Sequence, residues 1–106
     1  MDKLPRLSQT EMYIINLLLL KRRQLSPSQM LEVDREKRLN KNTIYVIIGR
    51  MVDKGLLESE YEKKKPGQKG RPRRLFNPTG IGVQALRSHE VAEKHYANLQ
   101  AGVLQS

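Results

Sequence analysis

The stretch Lys63 to Arg74, KKKPGQKGRPRR, constrains this chain more than any other. It holds seven lysines and arginines and no acid. The formal net charge of the whole chain is +9, so these seven leave only +2 for everything else. The positive charge is one cluster. Pro66, Gly67, Gly70 and Pro72 exclude a helix there, because proline lacks an N–H donor and clashes with the preceding turn. The flanks, Leu56 to Tyr61 and Leu75 to Asn77, read as short strands, which makes the cluster a flexible basic loop at the tip of a hairpin.

Composition narrows the partners. A chain of 106 residues is one domain with a modest core. Apolar residues make up 38% and charged residues 29%, the balance of a soluble globular protein. The longest apolar run, Tyr13 to Leu20, is interrupted by Asn16 and is far short of the roughly 20 residues that span a bilayer. The first ten residues, MDKLPRLSQT, lack the apolar core of a signal peptide, so a cytoplasmic protein with no membrane partner is expected. With no cysteine, disulfides and thiolate metal sites are excluded. The isoelectric point near 10.1 points to a polyanion such as DNA, RNA or an acidic membrane surface.

Helix boundaries are written in capping residues. Ser8 and Glu11 form a capping box with Leu7 and Met12 as its staple, opening a helix over 8–22. Ser26, Pro27 and Gln29 repeat the signal for a helix over 26–38. Asn40 precedes a third helix, 41–54, whose Ile44, Ile47, Ile48 and Met51 fall at i, i+3, i+4 and i+7 and so share one buried stripe. Gly55 ends it. A hairpin over 56–77 follows, and Pro78 breaks its second strand. Thr79 caps a last helix to about Leu104. There, Ala85, His89, Ala92, Tyr96, Leu99 and Val103 repeat every four and three residues, the seam of a helix that pairs with another. The expected fold is therefore α+β and mostly helical. Residues 1–78 form a winged helix-turn-helix of three helices and a two-stranded wing, and 79–106 form a C-terminal dimerisation helix.

From Thr43 onward the residues resemble the PadR-like winged-helix transcriptional regulators. Thr43-Ile44-Tyr45, Arg50-Met51 and Gly55 through Tyr61 are similar to that family's third helix and first wing strand. Gly70-Arg71-Pro72-Arg73-Arg74 resembles its wing tip, and Thr79 and Gly82 with Ala85-Leu86 resemble its last-helix start. The likeness covers roughly residues 43 to 86. It departs at Val46, where the family often has proline, at Leu75-Phe76, which replaces an aromatic pair, and at Pro78. The resemblance implies a dimeric repressor whose third helix enters the major groove of double-stranded DNA, with a small-molecule effector of unknown chemistry left open.

The residues themselves supply a division of labour. Opposite the isoleucine stripe lie Asn42, Val46, Gly49 and Asp53, a thin surface suited to a groove. Asn42 is a candidate adenine reader and Val46 a candidate contact to a thymine methyl. Tyr45 and Arg50 flank them as phosphate contacts, and Lys41 and Thr43 are further candidate DNA contacts. Gly49 costs about 1 kcal/mol of helix propensity relative to alanine, which close approach to base edges would justify. In the wing, Arg71 and Arg73 are the candidates for a narrow minor groove, while Lys63, Lys64, Lys65, Lys69 and Arg74 suit phosphates. The plainer readings are a solvated helix face, a solubilising charge run and a last helix packed on its own domain. His89 and Glu93 stand at i, i+4 without a third ligand, so no metal is expected. No catalytic constellation appears and no cofactor is implied. The leading reading is a homodimeric, sequence-specific DNA-binding repressor. Its rivals are a sequence-independent nucleic-acid binder and a protein-interaction module.

Overall fold

The first two helices start where their capping residues put them. The computed structural model describes residues 5–91. In it α1 runs Gln9–Lys21 and α2 runs Pro27–Val33. The Ser8 hydroxyl accepts the Glu11 amide at 3.2 Å, and the Glu11 carboxylate accepts the Ser8 amide at 2.8 Å. Ser26 and Gln29 repeat this exchange at 3.3 and 2.9 Å. Each box satisfies amides that a helix start would otherwise leave open. Next come α3 (Ile44–Asp53), β1 (Leu57–Tyr61), β2 (Arg74–Pro78) and a helix over 80–91, α4.

β1 and β2 pair antiparallel from Leu57 opposite Pro78 to Tyr61 opposite Arg74. On the other edge of β2, Leu25 exchanges two backbone hydrogen bonds with Phe76, at 3.2 and 2.9 Å. That bridge ties the wing to the α1–α2 connection. The core gathers Ile14, Ile15 and Leu18 of α1, Met30 of α2, and Ile44, Ile48 and Met51 of α3. Leu7, Leu17, Leu25, Leu56, Leu57, Phe76, Ala85 and Leu86 complete it. No helix among the described residues is long and apolar enough to cross a membrane.

Three boundaries differ from those expected. The second helix ends at Val33 rather than near residue 38, because Asp34 turns inward. Its carboxylate accepts the Tyr13 hydroxyl at 2.5 Å and the amides of Arg38 and Leu39 at 3.2 and 2.7 Å. In a continuing helix the Arg38 amide would bond the Asp34 carbonyl; here the Asp34 side chain takes it, and Lys37 adopts a left-handed φ of 56°. The third helix begins at Ile44 rather than 41. Asn40 folds the intervening residues into a turn, its side chain accepting the Asn42 amide at 2.7 Å and its carbonyl accepting the Ile44 amide at 2.9 Å. Pro78 closes β2 as its last rung opposite Leu57 instead of lying beyond the strand. The end of the last helix near Leu104 lies outside the described residues.

The exit from α3 is built tightly. Gly55, at φ 77°, donates to the Val52 carbonyl at 2.9 Å, and Leu56 donates to the Met51 carbonyl at 2.8 Å. This pair of bonds is a Schellman motif. Thr79 then crosses over it: its amide donates to the Leu56 carbonyl at 3.0 Å, and its hydroxyl donates to the Gly55 carbonyl. The same hydroxyl accepts the Gly82 amide at 3.0 Å, which starts α4. A Cβ on Gly82 would collide with the Leu56 carbonyl oxygen, so α4 packs here against bare backbone. At the far side, Glu11 accepts the Lys54 ammonium at 2.9 Å and joins the start of α1 to the end of α3. Burial alone would raise the Glu11 carboxyl, but the Ser8 amide and Lys54 outweigh it and hold it below its ordinary value.

Two outcomes follow from this packing. Gly82→Ala should destabilise the protein by about 1–3 kcal/mol, the usual cost of overpacking, seen as a lower denaturation midpoint; an unchanged midpoint would mean that α4 can step aside. Asp34 is the second test. Burial raises its carboxyl, yet the Tyr13 hydroxyl and the Leu39 and Arg38 amides hold it below the ordinary value, while burial and the Asp34 bond push Tyr13 up to about 12. A carboxylate held low stabilises fully above its unfolded value of about 4 and loses that contribution as pH falls through the folded one. Asp34→Asn should therefore cost about 1–3 kcal/mol at pH 7, with the gap in melting temperature to wild type closing below about pH 4. A gap that stays constant into more acidic solution would assign the effect to packing.

Candidate nucleic-acid interface

The isoleucine stripe decides which side of α3 faces outward. Ile44, Ile48 and Met51 are buried and Ile47 is half-buried. Tyr45 and Val46 are 64% and 56% exposed, and Gly49, Arg50 and Asp53 share that solvent side. Lys41, Asn42 and Thr43 are exposed on the Asn40 turn just ahead of the helix. An added Cβ on Gly49 would meet nothing within 4 Å. Packing among the described residues therefore gives no reason for a glycine mid-helix.

A groove of about 440 Å³ runs between the start of α2, α3 and β2. Ser28, Tyr45, Gly49, Asp53, Arg73 and Arg74 line it, together with Ile48 and Phe76. The exposed face of α3 and the base of the wing thus border one depression.

The wing loop is more ordered than its composition implies. Lys65-Pro66-Gly67-Gln68 makes a turn closed by the Gln68 amide on the Lys65 carbonyl at 3.1 Å, with Gly67 at φ 88°. Proline then glycine at the two central positions is the type II pattern. The Lys64 ammonium donates to the Lys69 carbonyl at 2.8 Å and braces the loop from inside. Below the loop, Glu62 and Arg73 form its last rung, the Glu62 amide donating to the Arg73 carbonyl at 2.9 Å. The Glu62 carboxylate accepts the Arg73 amide at 3.0 Å and Nε at 3.2–3.3 Å, and pairs with Nη2 at 3.2 Å. The Arg73 guanidinium holds the Glu62 carboxyl below its ordinary value. Arg74 donates to the Ser59 hydroxyl at 2.8 Å and lies over the Phe76 ring at 5.2 Å.

The seven wing cations therefore divide. Lys64, Arg73 and Arg74 are engaged within the hairpin. The side chains of Lys63, Lys65, Lys69 and Arg71 have no hydrogen bond or ion pair among the described residues. Sequence alone groups Arg71 with Arg73 as minor-groove readers; the structure leaves Arg71 at the tip and places Arg73 on Glu62. In the sequence Glu62 is only an acid beside a basic loop. The signal that finds the pair is the hairpin register: once Tyr61 faces Arg74, Glu62 must face Arg73.

Of the seam expected on the last helix, Ala85 is buried in the core of its own chain and His89 is half-buried. Ala92, Tyr96, Leu99 and Val103 lie outside the described residues. Apolar side chains do remain exposed on α1 and α4: Leu19, Leu20, Ile81 and Val91, with Leu20 at 75%. Among the described residues no three His, Cys, Asp or Glu side chains gather as a metal site.

This architecture is a winged helix-turn-helix. Solved structures of PadR-family regulators share the fold. A PadR-family transcriptional regulator from Eggerthella lenta superposes with a TM-score of 0.66 at 24% identity, over 92% of this chain and 81% of that one. A PadR-like transcription factor from Bacteroides fragilis gives 0.69 at 24% identity, over 89% and 88%. A PadR-family regulator from Clostridium difficile R20291 gives 0.69 at 20% identity, over 92% and 99%. No protein-family model matches this chain, and no curated protein matches it.

Gly49 separates a groove-facing helix from a merely solvated one. Gly49→Ala should stabilise the fold by about 1 kcal/mol through helix propensity, read as a higher melting temperature. It should at the same time weaken binding to duplex DNA by pushing the helix off the base edges. Higher stability with unchanged DNA affinity would take Gly49 out of the interface.

Proposed function

We propose that this protein is a sequence-specific, double-stranded DNA-binding transcriptional regulator that works as a homodimeric repressor in the cytoplasm. The observation that carries this reading is the adjacency of a thin, exposed α3 face to a hairpin whose tip offers four cations without side-chain partners among the described residues. The α3 face and the Asn40 turn ahead of it enter the major groove, with Asn42 of the turn and Val46 of the helix as readers and Lys41, Thr43, Tyr45 and Arg50 on phosphates. Arg71 reaches the neighbouring minor groove, and Lys63, Lys65 and Lys69 neutralise phosphates. The shared fold of PadR-family regulators supports the reading.

Dimerisation is supported by the apolar surface left on α1 and α4, notably Leu19, Leu20 and Val91. A two-fold dimer places its reading helices about 34 Å apart, one turn of duplex, and so calls for an inverted repeat. A small-molecule effector is part of this reading without an assigned site. The second reading, sequence-independent binding, draws on the same four wing cations, because phosphate contacts carry no sequence information.

Selection of bound duplexes from a random DNA library at near-physiological salt decides between them. An enriched inverted repeat is expected; a bound pool without enrichment would leave backbone binding alone, and no retained DNA would leave neither. With any retained duplex, Lys69→Ala with Arg71→Ala should weaken binding. The double variant should also flatten the dependence of log affinity on log salt, by about 0.9 for each phosphate that the wing tip no longer neutralises. An unchanged slope would take the wing tip off the DNA.

A further inference from the structure

We propose that Glu62 is a specificity-determining residue, holding the Arg73 guanidinium on the wing so that it does not grip every duplex alike. The inference rests on the DNA-binding reading above. Arg73 lines the groove beside Tyr45 and Gly49, where an unpaired guanidinium would meet the backbone of whatever DNA lies against α3. Instead Glu62 takes its Nε and Nη2 and its backbone amide at 3.0–3.3 Å. Arginine has five N–H donors, and this arrangement commits Nε and one terminal nitrogen, leaving the Nη1 edge open. The guanidinium is poised at the interface but its charge is already balanced.

The physical consequence is selective. A pair this exposed, with half of the Arg73 side chain in solvent, is weak. A phosphate fixed in place by correct base contacts on α3 can draw Arg73 away from Glu62. A phosphate met at random gains little, because release of the guanidinium uncovers a carboxylate facing polyanionic DNA. Glu62 thus lowers non-specific binding more than specific binding, and the tip cations carry the non-specific grip.

The test uses the full chain and a synthetic duplex of random sequence, with affinity measured across a salt series. Arg73→Ala alone should weaken binding modestly, because it uncovers the Glu62 carboxylate, and should leave the salt slope nearly unchanged, because the paired Arg73 neutralises no phosphate of a random duplex. Glu62→Gln should tighten binding several-fold and steepen the slope by about 0.9 per protomer, the value for one more neutralised phosphate. The E62Q/R73A double variant should return to the wild-type slope, which separates a released Arg73 from the simple removal of one negative charge. Glutamine retains an acceptor for the Arg73 amide, so the hairpin can still close. A Glu62→Gln variant that melts earlier without a steeper slope would make Glu62 only a hairpin brace and overturn the proposal. So would a steeper slope that persists in the double variant, or a single Arg73→Ala variant that flattens the slope. If the wild-type protein binds no duplex, the DNA-binding reading falls first and this inference with it; if wild type binds and the Glu62→Gln slope does not change, only this inference falls.

Discussion

The arrangement of α3 and the wing depends on the close crossing of the chain over itself at Gly55, Leu56, Thr79 and Gly82. Four elements meet there: α3 ends, β1 begins, β2 ends and α4 begins. The Met51 and Val52 carbonyls at the end of α3 are taken by the Schellman bonds, Thr79 takes the Gly55 and Leu56 carbonyls just beyond them, and the Thr79 hydroxyl then starts α4 by accepting the Gly82 amide. A buried backbone group without a partner is costly, so this reciprocal satisfaction pins the geometry. Because Gly82 lies against the Leu56 carbonyl with no room for a side chain, the wing cannot pivot on α3 without unpacking α4. The relation between α3 and the wing is therefore a property of one junction.

Three carboxylates then take different kinds of partner. Glu11 caps α1 and holds Lys54 at the end of α3. Asp34 faces inward, accepting Tyr13 and two amides, while Arg38 lies over the Tyr13 ring at 4.9 Å. Glu62 takes Arg73. Glu11 and Asp34 are buried and organise the fold, whereas Glu62 lies half-buried on the wing hairpin. Among the described residues, the wing side chains left without a partner concentrate at its tip, in Lys63, Lys65, Lys69 and Arg71. A basic cluster that reads in sequence as seven equal charges is in structure four outward cations on a hairpin that restrains the other three.

Legibility in the sequence follows the range of each interaction. Both capping boxes appear with the expected partners, three residues apart. The α3 stripe is buried at Ile44, Ile48 and Met51, and Gly55 ends the helix at positive φ. Asn40 does precede a helix start, but its side chain stabilises a turn, and the helix proper starts at Ile44. The early stop of α2 is hidden in the sequence, because Asp34 breaks that helix through Tyr13, twenty-one positions away. The Leu25–Phe76 bridge is hidden for the same reason: a single rung across a long separation leaves no periodic trace.

The sequence by itself determined where the helices start, which side of α3 is apolar, that a hairpin must interrupt the helices, and that the charge sits on it. Each depends on residues within about one turn or one strand, where spacing and side-chain chemistry act directly. The tertiary structure alone decided the stop at Asp34, the seating of the wing on α3, and the division of the wing's cations into engaged and outward. Those features arise from contacts between residues far apart in the chain or across a hairpin register, and such contacts exist only once the core has brought the elements together.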